Sequence, residues 1–184
     1  MRIFLDTEFT GLTQHTELLS LALLDENGRE FYAEFTERHG QSVDPWLEKH
    51  VIRHMHWLNH PESQPEVIIS AEKTWLFAPA ANIVAALREW LMAYDHIEMW
   101  ADCPAYDWVL FCQLFGGSMH LPQPLSYIVH DLATLLTCHD IDPLISRATL
   151  LPADQHPQGH QHNAMYDAYL LRACVQRFRP QQQL

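Results

Sequence analysis

Asp6 and Glu8 stand two residues apart in the apolar run RIFLDTEFTGL (2–12). Side chains alternate across a β-strand, so Phe4, Asp6 and Glu8 share one face while Ile3, Leu5, Thr7 and Phe9 share the other. Two carboxylates therefore lie side by side in a segment otherwise built for a core. Two more aspartates head apolar stripes at helical spacing: Asp107 with Leu110, Phe111 and Leu114, and Asp167 with Leu171, Cys174 and Phe178. His162 precedes Asp167 by five positions. A buried, unpaired carboxylate is costly and resolves by protonation, by pairing with Arg or Lys, or by binding a cation. The chain has only 11 Lys and Arg, and none neighbours Asp6, Glu8 or Asp107 in sequence. Oxygen-only donors suit Mg²⁺ or Mn²⁺ rather than Zn²⁺, so a hard divalent site is the expectation.

Each acid alone has a plainer explanation. The helix macrodipole favours an Asp in the first turn, which would account for Asp107 or Asp167, and a lone D-x-E is common on solvated strand faces. The weight rests on the combination. Asp102, just before Cys103 and Pro104, reads as a helix cap, and Asp131 before LATLL reads the same way. Among 13 histidines, His50 and His54 have zinc-binding helical spacing, but HExxH is absent and no Cys stands nearby. His156 and His160 are the other bases to weigh against His162.

The elements that must position these groups follow from the pattern. RIFLDTEF, TELLSLALLD and REFYAEF read as three antiparallel strands, the last two joined at Asn27 and Gly28. Asp44 caps a helix with Pro45 at its first position. The stretch from Pro61 to Trp75 is open between a short strand at EVIIS and an irregular connection. A long helix is expected over 77–94, a fourth strand at IEMWA, and a helix through AYDWVLF closed by Gly116 and Gly117. LSYIVHDL supplies a fifth strand passing into a helix at Asp131, and HNAMYDAYLLRACVQRF the last helix. The fold class is α/β: a mixed sheet of about five strands, the first three antiparallel, flanked by helices. One domain over 1–179 is expected, with a frayed tail at 180–184.

With 23 acidic side chains against 11 basic ones the formal net charge is −12, which excludes broad, salt-driven gripping of a nucleic-acid duplex. A nucleic-acid substrate would need bound cations. The opening run is too short and acidic for a signal peptide, and no stretch reaches the ~18 apolar residues of a membrane span, so a cytoplasmic protein is expected. Cys103, Cys112, Cys138 and Cys174 lack CxxC spacing and read as reduced thiols packed in the core.

FLDTEFTGL, AYDWVLF and HNAMYD resemble, in order, the three motifs of the DEDDh group of 3′-to-5′ exonucleases, which have a ribonuclease H-like fold. Within that group the RIFLDTEF opening and the WADCPAYDWVLFCQLFG block look closest to the small mycobacterial-type exoribonucleases. Oligoribonuclease, a sister family with a D-x-E-x-TGL start, is the alternative resemblance. The resemblance implies hydrolysis of single-stranded RNA from its 3′ end to nucleoside 5′-monophosphates, with two divalent cations (Mg or Mn) about 4 Å apart. It implies that Asp6, Glu8, Asp107 and Asp167 hold the metals, with Asp6 bridging them, and that His162 is the base. An imidazole titrating near ~6.5 can accept a proton from the attacking water. It further implies that Phe9, Thr10 and Leu12 touch the terminal nucleotide, and that the protein is a homodimer, for which the 44–75 segment is the candidate contact. Trp108, beside Asp107, is a candidate for base stacking. A DNA-directed 3′-to-5′ exonuclease is the alternative enzyme, and a catalytically silent nucleic-acid-binding domain the alternative of another class.

Overall fold

Apolar residues on both faces bury the strand β1 (Arg2–Phe9) in the middle of the sheet, and this central position sets where its acids emerge. The computed structural model describes residues 1–37, 44–60 and 62–179; the tail expected at 180–184 lies outside them. β2 (Leu18–Asp25) and β3 (Glu30–Phe35) follow in antiparallel register, with Asp6 opposite Ala22 and Glu8 opposite Ser20. Their connection turns at Gly28, whose φ of 102° suits glycine, and the Asp25 carboxylate accepts the Asn27 and Arg29 N–H groups.

Among the described residues the sheet has seven strands rather than five. β4 (Glu66–Ile69) and β5 (Lys73–Ala78) form an antiparallel pair, and β5 runs parallel to β3. β6 (Glu98–Ala101) lies parallel to β1, and β7 (Val129–Asp131) parallel to β6. The order across the sheet is β4-β5-β3-β2-β1-β6-β7. The helix expected from residue 77 starts later because β5 extends to Ala78. Phe77 packs on one side of the sheet and Leu76 with Ala78 on the other, so the strand shows no alternation.

Helices cover both faces. On one side lie α1 (Pro45–His50), capped by Asp44, then α4 (Leu132–Cys138), capped by Asp131, and α5 (Ala164–Phe178), which crosses β1 and β2. Their core includes Phe4, Ala22, Tyr32, Leu132, Leu171 and Cys174. On the other side α2 (Ala80–Leu91) and α3 (Ala105–Gln113) pack Ile83, Leu87, Trp90 and Phe111 against Ile3, Leu5, Leu21 and Phe31. Gly116 and Gly117, at φ 87° and 115°, close α3 as expected. Cys112 and Cys174 are buried, but Cys103 and Cys138 are exposed, so the core reading of the cysteines holds for two of the four. No described helix is long and apolar enough to cross a membrane.

Candidate active site

The site forms where β1 outruns its neighbour. β6 pairs with β1 only from Arg2 to Phe4, so the backbone around Thr7 is left without a partner on that edge. Asp107, in the first turn of α3, fills the gap: its Oδ1 accepts the Thr7 N–H at 3.0 Å and the Thr7 hydroxyl at 2.6 Å. Asp6 and Glu8 continue the Phe4 row toward α5. Asp167, in the first turn of α5, meets them there, and donor atoms of Glu8, His162 and Asp167 lie within 4.8 Å of one another. These residues share one cavity of about 720 Å³. The structure thus brings together Asp6, Glu8, Asp107, Asp167 and His162, from three separate elements and a loop.

Like charges packed in a partly dry pocket resist ionisation. Burial, then Asp167, Asp107 and Glu8, hold the Asp6 carboxyl well above its usual range. Burial, with Asp167 and Asp107, pushes Glu8 up to about 8. Asp167 rises to about 7, mainly by burial, although the His162 N–H donated to its Oδ2 at 2.7 Å opposes the rise. Burial also raises Asp107, against the pull of the Thr7 hydrogen bonds. None of the ion pairs among the described residues involves these four acids. Oxygen donors of this kind, with no sulfur among them, fit a hard divalent cation, which would relieve their mutual repulsion.

His162 has φ 65°, a left-handed conformation uncommon outside glycine, and it ends the loop before α5. Asn163 fixes it from the next position. The Asn163 side chain accepts the Tyr166 N–H as helix cap and donates to the His54 carbonyl at 2.9 Å. Burial, then His50 and His54, lowers the imidazole pKa, which keeps the ring neutral and able to accept a proton near pH 7. His156 is engaged at the Ala148 and Leu151 carbonyls, and His160 stacks on His54 at 4.5 Å. His50 closes α1 while His54 lies in a separate 3-10 turn, Ile52–His54, so they do not share one helical face; no metal-capable group among the described residues contains either.

Phe9, Thr10 and Leu12 line the cavity, with Leu12 74% exposed at its mouth. Trp108 does not. Its indole N–H donates to the Tyr127 carbonyl and its ring stacks on Phe111 at 5.4 Å, so packing, rather than the cavity, holds it. The indole on the cavity wall is Trp46, 53% exposed, set edge-on to His162 at 5.3 Å and against His50 at 4.9 Å. Sequence reasoning missed it. The available signal was a large aromatic in the first turn of a helix capped by Asp44, where an apolar residue faces away from the helix's own core residue, Leu47. Asp102 is not a helix cap either: Pro104 occupies that position, and Asp102 instead forms a two-pronged pair with Arg147 at 2.7 and 2.8 Å. Both line the cavity, and the pair ties the loop before α3 to the 143–148 segment.

Comparison with known proteins bears on the fold and the family. Solved structures of similar fold include S. pombe Pop2p in a Mg²⁺- and Mn²⁺-bound form, with a TM-score of 0.62 and 16% identity over 97% of this chain and 83% of that one. The RNase domain of yeast Pop2 matches with a TM-score of 0.61 and 13% identity over 94% and 74% of the two chains. At those identities the likeness is one of fold. In sequence, the chain is 33% identical over 137 residues, 73% of each protein, to the 3′-5′ exoribonuclease Rv2179c of Mycobacterium tuberculosis H37Rv. The protein MT2234.1 of the CDC 1551 strain, also named a 3′-5′ exoribonuclease, matches equally. The 3′-5′ exoribonuclease Rv2179c-like domain model matches residues 1–178, from before the Asp6 strand to the end of the Asp167 helix, and the chain belongs to that family.

Proposed function

We propose that this exoribonuclease is metal-dependent and removes nucleoside 5′-monophosphates from the 3′ end of single-stranded RNA, with His162 as general base. The convergence of Asp6, Glu8, Asp107 and Asp167 on one cavity, raised in pKa and without a Lys or Arg ion pair among the described residues, carries this reading. Two divalent cations held there would supply charge neutralisation at the scissile phosphate and at the departing 3′ oxygen. The chain's own groups do the rest. Asp6, which feels the charges of Asp167, Asp107 and Glu8 alike, suits a ligand shared between the cations, and Glu8, Asp167 and Asp107, the last fixed by Thr7, would complete the set. His162, kept neutral, accepts the proton of the attacking water. Phe9, Thr10 and Leu12 bound the terminal nucleotide, and the exposed face of Trp46 offers a surface for a base. A single catalytic domain over 1–179, a homodimer contacting through the 44–75 segment and a cytoplasmic setting belong to the same reading.

The test is a 5′-labelled single-stranded oligomer, as RNA and as DNA, incubated with Mg²⁺, Mn²⁺ or EDTA and with wild type or Asp6→Ala. Laddering from the 3′ end of RNA that is lost in EDTA and in the variant is the expected result. Equal or faster laddering of DNA would overturn the RNA assignment, and cleavage that survives EDTA would overturn the metal assignment.

A further inference from the structure

β2 carries one polar side chain in the run LLSLALL, and it is fully buried: Ser20 is 0% exposed. A hydroxyl in such a place costs free energy unless it is hydrogen-bonded. Among the described residues Ser20 Oγ has no hydrogen-bond partner of full geometry, the Tyr32 phenol being its nearest polar neighbour. The same face of β2 takes Ala22 two residues on, so a small apolar side chain fits the layer. Packing alone therefore does not call for a serine.

The register shows what the hydroxyl faces. Ser20 stands opposite Glu8 on β1 and opposite Glu34 on β3, so the three form one row across the sheet. Directly opposed residues hold their Cβ atoms about 4.5–5.5 Å apart. Glu34, 0% exposed, is already saturated. Its Oε1 accepts the Tyr32 hydroxyl and the His56 N–H, both at 2.6 Å, and its Oε2 accepts the Trp57 and Leu58 N–H groups at 3.0 and 2.6 Å. Tyr32 donates its proton to Glu34, and its oxygen lies near enough to the Ser20 hydroxyl to feel it as a donor, which makes it the competing acceptor. The carboxylate left for Ser20 is Glu8.

We propose that Ser20 is a positioning residue for the metal centre: its hydroxyl, directly opposite Glu8 in the strand pair, backs the Glu8 side chain and donates to its carboxylate, holding it in one orientation toward the cavity. Glu34 is the rigid far end of the row. It clamps the 56–58 loop, which continues from the His54 carbonyl that holds Asn163 beside His162. The row thus joins the backing of Glu8 to the backing of the base through buried groups. The inference rests on the metal-dependent reading above, and it concerns the orientation of a ligand rather than its identity.

The test measures Mn²⁺ binding by calorimetry alongside thermal unfolding in EDTA, for wild type, Ser20→Ala and Ser20→Cys, the last keeping the side-chain volume without a strong donor. Loss of a group that orients a metal ligand typically weakens metal affinity about 10–100-fold. Both variants are expected to show that loss with an EDTA melting temperature equal to or above wild type, because the hydroxyl they remove has no partner of full geometry among the described residues. Variants that bind Mn²⁺ as tightly as wild type, or that lose affinity only together with melting temperature in EDTA, overturn the proposal. A wild type that binds no Mn²⁺ overturns the metal reading beneath it.

Discussion

Replacing Glu8 by Gln should stabilise the protein in EDTA while abolishing its activity, and the stabilisation should grow with pH. In the folded chain Glu8 titrates at about 8 against an ordinary 4.5, because burial and the facing Asp167 and Asp107 disfavour its charge. The unfolded chain releases that proton first. A group whose folded pKa is raised contributes its full stability below the unfolded value and loses it as pH climbs through the folded value. At about 1.36 kcal/mol per unit, wild type loses about 3 kcal/mol by pH 7 and about 4 kcal/mol by pH 8 relative to a side chain that cannot ionise. Urea unfolding in EDTA reads this directly: the midpoints of wild type and Glu8→Gln should nearly coincide at pH 4.5 and separate toward pH 8. Saturating Mn²⁺ should then close the gap by stabilising only wild type, since a ligand that binds the folded state adds stability by mass action. A wild type whose stability in EDTA is flat or rises from pH 5 to 8, or a variant no more stable than wild type at pH 8, would refute the account of a repelling, proton-held acid cluster.

His162→Ala should lower kcat by about 10²–10⁴. Because burial and neighbouring histidines lower its pKa, wild-type kcat should already be on its plateau at pH 7 and fall only below the ordinary imidazole range, a limb that the variant should lack in a pH–rate profile. Trp46→Ala should raise KM for a short RNA by about 5- to 100-fold, the worth of one stacked base, with a much smaller change in kcat; an unchanged KM in steady-state assays would remove Trp46 from the substrate path.

The site was legible in the sequence largely because its acids violate their settings. Asp6 and Glu8 interrupt a core strand, and Asp107 and Asp167 sit at the heads of apolar stripes, so their combination and the family resemblance singled them out, and the fold brings them to one cavity. What stayed hidden depends on non-local pairing. β5 is flanked by apolar neighbours on both faces and is fixed by its register with β3, from Glu30↔Lys73 to Phe35↔Ala78, which no local period announces. Pro79 was the overlooked marker, since the residue before a proline is biased away from the helical region and α2 begins just after it. Asp102 beside Cys103 and Pro104 has the composition of a cap, but its partner, Arg147, lies 45 residues on. Trp108 shows the converse: adjacency to Asp107 suggested the cavity, whereas one helical step turned its ring to Phe111.

The charge of the chain and the design of the site are one problem. Arg147 lines the cavity, but its guanidinium is spent on Asp102 and on the Pro143 and Ile145 carbonyls, so it has little left to offer a phosphate. A protein with net charge −12 that gathers four of its acids around the proposed position of the reacting phosphate would repel RNA in the absence of cations. On the proposed metal-dependent reading, the acids that would repel the substrate are also those that disfavour the metal-free fold. Divalent cations in the centre would reverse both effects at once, linking the folded state, the grip on the 3′ end and the chemistry through one set of carboxylates. That linkage explains why the sheet backs the set so firmly, with Thr7 holding Asp107, the His162 N–H holding Asp167, and Glu34 holding the loop behind them. Carboxylates left loose would turn away from one another instead of waiting for metal.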